Sequence, residues 1–294
     1  MFHRLTVCII GLFALVLMTA HPVWAQSQTL PKDLPGSKQV RFPCGAGLVQ
    51  NNFNLLHRAA FQLADVPKGH LRVNFIGHAS FLVESPQGVK VVFDYNDYYR
   101  ADVVPDIATM NIQRGNHSAY DIQPGIKYLL QGWSDDGKIA RHDVTFKDVR
   151  VYNLPTNILN GGNTYYSNFS SMFIVQSSGV CVAHMGHLRH MLEKEQFARI
   201  GQIDVLMIPI DRRVTQSFEE LLHNLKGIRP RIIVPMHFNS LYTVDDFLSQ
   251  ISSHYPVKRL KGDTIEVSKI NLPKKTEVWQ LTPKELQDTG GSKL

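Results

Sequence analysis

Two stretches in the second half of the chain are apolar at almost every position, and they constrain the fold more than any other feature. Residues 204–209 (DVLMIP) and 231–235 (RIIVP) are shorter than an ordinary helix and lack the polar alternation of a half-exposed strand. Strands of this composition are buried on both faces. Helical patterns at 192–200, 217–225 and 244–251 alternate with them along the chain. The second half therefore predicts a sheet whose faces are covered.

The first half of the chain is rich in strands. Apolar alternation and turn residues predict strands at 71–76, 80–85, 88–95, 106–111, 141–145, 149–154, 171–176 and 180–184, and short strands near 264–267 and 278–281 close the chain. Strands first, and then alternating strands and helices, indicate two sheets packed together with helices outside them. The predicted fold class is α/β, an αββα sandwich.

The first 25 residues have the pattern of a cleaved export signal. Arg4 precedes an apolar run at 7–18, which is shorter than the roughly 20 residues that span a bilayer as a helix. Val23-Trp24-Ala25 suits a signal peptidase, and an uncleaved anchor is the alternative. We expect a periplasmic or secreted protein with no stable membrane anchor after cleavage. The expected organisation is a signal peptide at 1–25, an arm with a short helix at 26–70, the main domain at 71–282 and a tail at 283–294.

The charge of the chain is only mildly basic. Lys and Arg number 31 and Asp and Glu 25, a net charge of +6 over 294 residues. The densest basic group is Lys258, Arg259 and Lys261, which is typical of a solvated face. We therefore expect no nucleic-acid partner, since binding of that kind needs a longer basic stripe.

Two cysteines, Cys44 and Cys181, are left once Cys8 is removed with the signal. An exported chain meets an oxidising compartment, where the two could form a disulfide. Cys181 lies in a predicted buried strand, so a buried free thiol is the blander interpretation. The spacing of the two residues decides nothing, and both interpretations stay open.

Four segments follow one another in a distinctive order over roughly residues 71–282. They are VNFIGHASFLVES with VKVVFDY, the loop after DIATMN, CVAHMGHLRH leading into IGQIDVLMIPI, and RPRIIVPMHF. Together they resemble the metallo-β-lactamase superfamily, and most closely its branch of sugar-phosphate lactonases and related metal-dependent hydrolases. The resemblance implies a sandwich of the metallo-β-lactamase type, with one or two metal ions at the edge between its two sheets.

The family's central motif is degenerate in this chain. Its pattern, His-x-His-x-Asp-His, falls on Ile112, Arg114, Asn116 and His117. Neither Ile112 nor Arg114 has a lone pair for a metal ion, and Asn116 offers only a weak neutral oxygen. The next family histidine, expected at 155–157, is also missing. The resemblance therefore implies that the first metal site is lost.

The second family site keeps candidate ligands. Its bridging Asp position falls on His187, and its last histidine falls on His237. With His117 they could form a three-imidazole site, with Asn116 beside it, and an open fourth position is typical of catalytic zinc. Iron or copper would also suit these ligands. We expect one divalent ion, zinc before the others, rather than two.

Two further residues are interpreted as catalytic, each with an alternative. Arg114 could hold a carboxylate or phosphate group of a substrate, or it could be a surface arginine in a decayed loop. Asp94 could fix the tautomer of a ligating imidazole, or it could cap the end of a strand. His78 is expected to have a hydrogen-bonded structural role rather than to bind the metal.

Two functions remain open at this point. In the first, a metal-dependent hydrolase cleaves a lactone, ester, amide or phosphoester bond of a small-molecule substrate, and Arg114 or Tyr99 orients that substrate. In the second, a non-catalytic descendant of the fold uses the old cleft to bind a ligand or partner. Random decay would not be expected to place a metal-competent histidine at position 187, which favours the hydrolase. The sequence does not identify the substrate or the oligomeric state.

Overall fold

The computed structural model describes residue 44, residues 65–136, 138–159 and 165–283, and residue 286. All of these belong to the unit Ser37–Leu294, and the other unit, Met1–Gly36, contains no described residue. The predicted export signal and the predicted short helix near 52–64 lie outside the described residues. No described helix is long and apolar enough to cross a membrane.

Strands dominate the described chain, and short helices appear only in its second half. In chain order the elements are β1 (His70–Gly77), β2 (Ser80–Glu84), β3 (Lys90–Phe93), β4 (Ile107–Met110), β5 (Tyr128–Gln131), β6 (Asp143–Phe146), β7 (Val149–Leu159), β8 (Tyr165–Ser177), β9 (Val180–His184), α1 (Lys194–Ile200), β10 (Val205–Pro209), α2 (Phe218–Ile228), β11 (Ile232–Met236), α3 (Leu241–Ile251), β12 (Val257–Arg259), β13 (Thr264–Ser268) and β14 (Glu277–Gln280).

The strands form two sheets. One has six strands in the order β13-β1-β2-β3-β4-β5, and the other has eight in the order β12-β14-β11-β10-β9-β8-β7-β6. Strands β9, β10 and β11 pair in parallel and are buried along their whole length, as their apolar sequences predict. The predicted α/β sandwich is confirmed.

The two faces of the first sheet are covered differently. Val91 and Phe93 of β3 belong to the main core, which is shared with residues of the second sheet, whereas Val92 packs on the opposite face. That opposite face is covered by side chains such as Tyr95 and Trp133, which lie outside the strands and helices. The described helices all connect strands of the second sheet, and the described residues on this face of the first sheet come from strands and loops.

Cys44 and Cys181 form a disulfide. The interpretation of Cys181 as a buried free thiol is therefore wrong. Strand β9 places Cys181 beside residue 44, whose backbone also bridges to Gly201. Sequence could not decide this pairing, because the two residues are 137 positions apart and only the sheet brings them together.

The sheet pairing gathers several polar loops at one edge of the sandwich. Strands β3 and β4 are parallel, so Asp94 and His117, which follow them, lie at the same end. His187 and His237 follow the parallel strands β9 and β11 in the other sheet. Strands β1 and β2 run antiparallel, and so do β2 and β3, which brings the turn residue His78 to the end where β3 finishes.

Candidate metal centre

Four buried imidazoles meet at this edge: His78, His117, His187 and His237. The ring centroids of His117 and His237 are 5.0 Å apart, and those of His78 and His237 are 4.3 Å apart. The His187 ring lies 5.3 Å from His117 and 5.5 Å from His237. The structure thus brings the three predicted ligands together, and it adds His78 to them. Whether each of them binds a metal stays a prediction.

His117 is held by the carboxylate of Asp94. Its Nδ1–H donates to Asp94 Oδ2, and both side chains are almost wholly buried. Burial lowers the pKa of His117 to about 3 and raises the pKa of Asp94 to about 7, because each charged form loses its hydration. The imidazole is therefore neutral, with its Nε2 lone pair directed away from Asp94. This contact is the one expected if Asp94 fixes a tautomer.

His237 faces His117 directly. The two Nε2 atoms are 3.1 Å apart, and His237 Nδ1 lies 3.5 Å from Asp211 Oδ1. Burial, reinforced by the neighbouring imidazoles, lowers the pKa of His237 well below its usual range. Two neutral imidazole nitrogens this close must share either a proton or a cation, and a cation suits two lone pairs better. His237 Nδ1 has no hydrogen-bond partner among the described residues.

His78 contributes a third nitrogen. Its Nδ1 lies 3.1 Å from Asn239 Oδ1, and its Nε2 lies 2.9 Å from Asn116 Nδ2. One ligand nitrogen from each of His78, His117 and His237 lies within 4.8 Å of the other two. Asn116, predicted to lie beside the metal, is therefore a hydrogen-bond partner of His78.

His187 and Arg114 form a separate pair at the rim. Arg114 Nη1 lies 3.5 Å from His187 Nε2, and the arginine side chain is exposed. Burial, together with the nearby His117 and Arg114, lowers the pKa of His187 to about 3. Among the described residues Arg114 makes no ion pair with a carboxylate, so its positive charge remains available to a ligand.

Three residues at this edge have strained backbone conformations. His78, Asp94 and His237 all have left-handed conformations, with φ of 49°, 56° and 63°. Such conformations are uncommon for residues other than glycine and concentrate at functional sites. The backbone N–H of His237 donates to the carbonyl of His78 at 2.6 Å, which links two of these residues.

Several buried polar atoms without hydrogen-bond partners lie at this edge. They include Asp94 Oδ1, both amide atoms of Asn111 and His237 Nδ1. Buried polar groups are normally satisfied, so orphaned ones mark a place that lacks a ligand or water. The neutral imidazoles fit a divalent cation. Ile112 is buried and, like Arg114, offers no donor atom to a second ion.

Sequence reasoning missed two participants in the site, because Asp211 and Asn239 were not singled out. The hydrogen-bonded role expected for His78 agrees with its contacts to Asn239 and Asn116, and whether it also binds a metal stays a prediction. Asp211 follows β10 and Asn239 lies two residues after His237, so both stand at the end of parallel buried strands. That position at the carboxyl edge of the sheet was the signal that could have identified them.

Residues 72–237 match the family described as the Beta-lactamase superfamily domain. The chain belongs to the β-lactamase superfamily. The resemblance inferred from the four sequence segments is confirmed.

Similar proteins from several organisms carry a shared description. The chain is 26% identical over 194 residues to a UPF0173 metal-dependent hydrolase of Pyrococcus abyssi, covering 58% of this chain and 85% of that one. It is 25% identical over 221 residues to a UPF0173 metal-dependent hydrolase of Thermococcus kodakarensis, covering 67% of this chain and 95% of that one.

Two solved structures share the fold of this superfamily member. One is a Thermotoga maritima protein described as a Zn-dependent hydrolase of the metallo-β-lactamase superfamily, with a TM-score of 0.54, 23% identity and coverage of 72% of this chain and 98% of that one. The other is a metallo hydrolase of Ignicoccus hospitalis, with a TM-score of 0.51, 16% identity and coverage of 68% and 99%.

Proposed function

We propose that this β-lactamase superfamily member is a metal-dependent hydrolase that uses a single divalent ion. The observation that carries the proposal is the pair of buried, neutral imidazoles whose Nε2 atoms lie 3.1 Å apart, His117 and His237. Neutral imidazoles with free lone pairs are the preferred ligands of zinc, and they also suit iron. The descriptions of the similar archaeal proteins as metal-dependent hydrolases support the same activity.

The side chains around the ion have distinct tasks. When bound, the ion would supply Lewis-acid activation of water and of a scissile carbonyl or phosphoryl group. Asp94 holds the Nδ1–H of His117, which keeps Nε2 available as a ligand. The Tyr99 ring stacks on His78 with centroids 5.7 Å apart and shields that side of the cluster.

We propose that the substrate is a small molecule carrying a carboxylate or phosphate group. Arg114 supports this proposal, because its guanidinium stands at the rim of the cluster within 3.5 Å of His187 Nε2. A guanidinium binds such groups through paired hydrogen bonds. Replacing Arg114 by Gln should weaken the inhibition of hydrolysis by added inorganic phosphate and leave the metal content unchanged.

Elemental analysis tests the single-ion proposal. Protein purified without chelator should contain about one divalent ion per chain, with zinc expected first. Changing His237 to Ala should abolish metal binding and any hydrolysis of lactone, ester or phosphoester substrates, because only two of the three ligand imidazoles would remain to hold the ion. The exposed His254 provides the matched control, since His254→Ala should change neither quantity. Two ions per chain would contradict the proposal, and a metal-free protein that still folds and binds a ligand would favour the binding-protein alternative.

We also propose that the chain is exported and that 71–282 forms its functional domain, preceded by the signal at 1–25 and the arm at 26–70 and followed by the tail at 283–294. The Cys44–Cys181 disulfide supports export, because disulfides persist in oxidising compartments. The mature protein should then begin at Gln26, and N-terminal sequencing that returned Met1 would contradict this.

A further inference from the structure

We infer that His78, and not His187, supplies the third imidazole of the metal site. The inference rests on the proposed single-ion function and changes its ligand set. A tetrahedral zinc ion with bonds of about 2.0–2.1 Å separates its ligand atoms by roughly 3.3 Å. The nitrogens of His78, His117 and His237 lie within 4.8 Å of one another, so small side-chain movements bring all three to one ion.

The tautomer of His78 is already set for this role. Asn239 Oδ1 lies 3.1 Å from His78 Nδ1 and accepts its N–H, which leaves the lone pair on Nε2. Asp94 does the same for His117 from the other side of the cluster. Ligating imidazoles characteristically donate their second N–H to such an oxygen.

The atom that contacts His78 Nε2 is displaceable. Asn116 Nδ2 lies 2.9 Å from it, and the asparagine side chain is only partly buried. An ion at Nε2 would replace this single neutral hydrogen bond, and rotation of the amide would turn its oxygen toward the cation. Asn116 therefore does not block the site.

The backbone holds His78 and His237 together. The amide of His237 donates to the carbonyl of His78 at 2.6 Å, and both residues have left-handed φ angles. The result is the shortest ring-to-ring distance within the cluster, 4.3 Å. Backbone strain of this kind persists where a side chain must occupy one place.

The environment of His187 argues against ligation. Its Nε2 faces Arg114 Nη1 at 3.5 Å, so its lone pair is directed at a permanent cation. A divalent ion at that nitrogen would lie beside the guanidinium and be repelled by it. His187 instead positions Arg114 at the rim of the site.

Matched asparagine variants of the full mature chain test this assignment. Asparagine tolerates left-handed backbone, so His78→Asn should keep the fold, and circular dichroism would check it. Each protein is stripped with a chelator and titrated with zinc against a chelating dye, and then with cobalt, whose visible absorption reports the ligand set. His78→Asn should weaken the affinity for zinc by at least about 100-fold and alter the cobalt spectrum, since a ligand is lost. The zinc affinity of His187→Asn should stay within about threefold of that of the parent protein. The affinity of Asn239→Ala should fall about tenfold, because Asn239 no longer holds His78 in the tautomer that leaves Nε2 free.

Each other outcome has a definite meaning. If His78→Asn keeps the ion, the inference is overturned and the single-ion function stands, whether His187→Asn loses the ion or keeps it. If both variants lose it, the assignment of three ligands without His187 is overturned. If the parent chain binds neither zinc nor cobalt, the proposed function itself fails together with the inference.

Discussion

At the scale of single residues, Asp94 decides which nitrogen of His117 is available. Its carboxylate accepts the Nδ1–H of His117, while Ser80 Oγ and Asn96 Nδ2 donate to its backbone carbonyl and hold its left-handed conformation. The side chain and the backbone of this residue therefore have separate tasks. A substitution can remove the first without disturbing the second.

Changing Asp94 to Asn should weaken the affinity for zinc by about 10- to 100-fold, because a neutral amide holds the imidazole less firmly than a carboxylate does. The fold should persist, since asparagine tolerates the left-handed backbone. Competition with a chelating dye measures the affinity. Asp97→Asn is the matched control, because Asp97 pairs with Arg100 and not with an imidazole. An unchanged affinity in Asp94→Asn would mean that Asp94 only caps the strand.

At the scale of elements, Gly227 shows how helix packing overrides a local signal. The sequence predicts a helix at 217–225 followed by a glycine at 227, a residue that often ends helices, but α2 runs through Gly227 to Ile228 and ends at Arg229 in a left-handed conformation. A Cβ on Gly227 would lie 2.2 Å from the ring of Phe197 in α1. The glycine therefore permits the close approach of α1 and α2 rather than ending the helix.

Gly227→Ala should destabilise the protein by about 1 kcal/mol. The alanine gains up to about 1 kcal/mol of helix propensity, but overpacking against Phe197 costs about 1–3 kcal/mol. Urea unfolding measures the difference. In a Phe197→Leu background the overlap is relieved, so the same alanine should be neutral or stabilising there. Equal destabilisation in both backgrounds would show that the contact with Phe197 is not the cause.

At the scale of the whole molecule, buried histidines make stability depend on pH. Burial lowers the pKa of His142, His184 and His190, which lie outside the proposed ligand set. Their unfolded pKa is about 6.5, so below that pH the unfolded state binds protons that the folded state does not. The contribution of these residues to the free energy of unfolding is therefore complete above about pH 6.5 and decreases as the pH falls below it. Asp94, whose pKa burial raises to about 7, acts in the opposite direction as a single group.

The urea midpoint of metal-free protein should therefore fall between pH 7.5 and pH 5.5. Each buried imidazole contributes up to about 1.4 kcal/mol per pH unit. His142→Gln should reduce the slope, because the glutamine amide can still donate to the Gln131 carbonyl that His142 Nε2 contacts but does not titrate. A midpoint that stayed constant or rose on acidification would contradict this account.

The sequence by itself determined the layers of the fold and the neighbourhood of the site. Apolar runs such as 205–209 can only be buried strands, and residues that follow parallel strands meet at one edge, so His187 and His237 had to lie close together. These conclusions need only local patterns and the general rules of sheet pairing. Two strands, β5 and β12, were missed because both are short and neither is buried along its whole length.

Only the tertiary structure decided which atoms meet. His78 and His237 are far apart in sequence, yet a backbone hydrogen bond joins them, and Cys44 reaches Cys181 across 137 residues. Whether an imidazole lone pair is available depends on what each ring nitrogen contacts, such as Asn239 at Nδ1 of His78 and Arg114 at Nε2 of His187. Such contacts are set by packing between distant segments, and local sequence does not encode their angstrom-scale geometry.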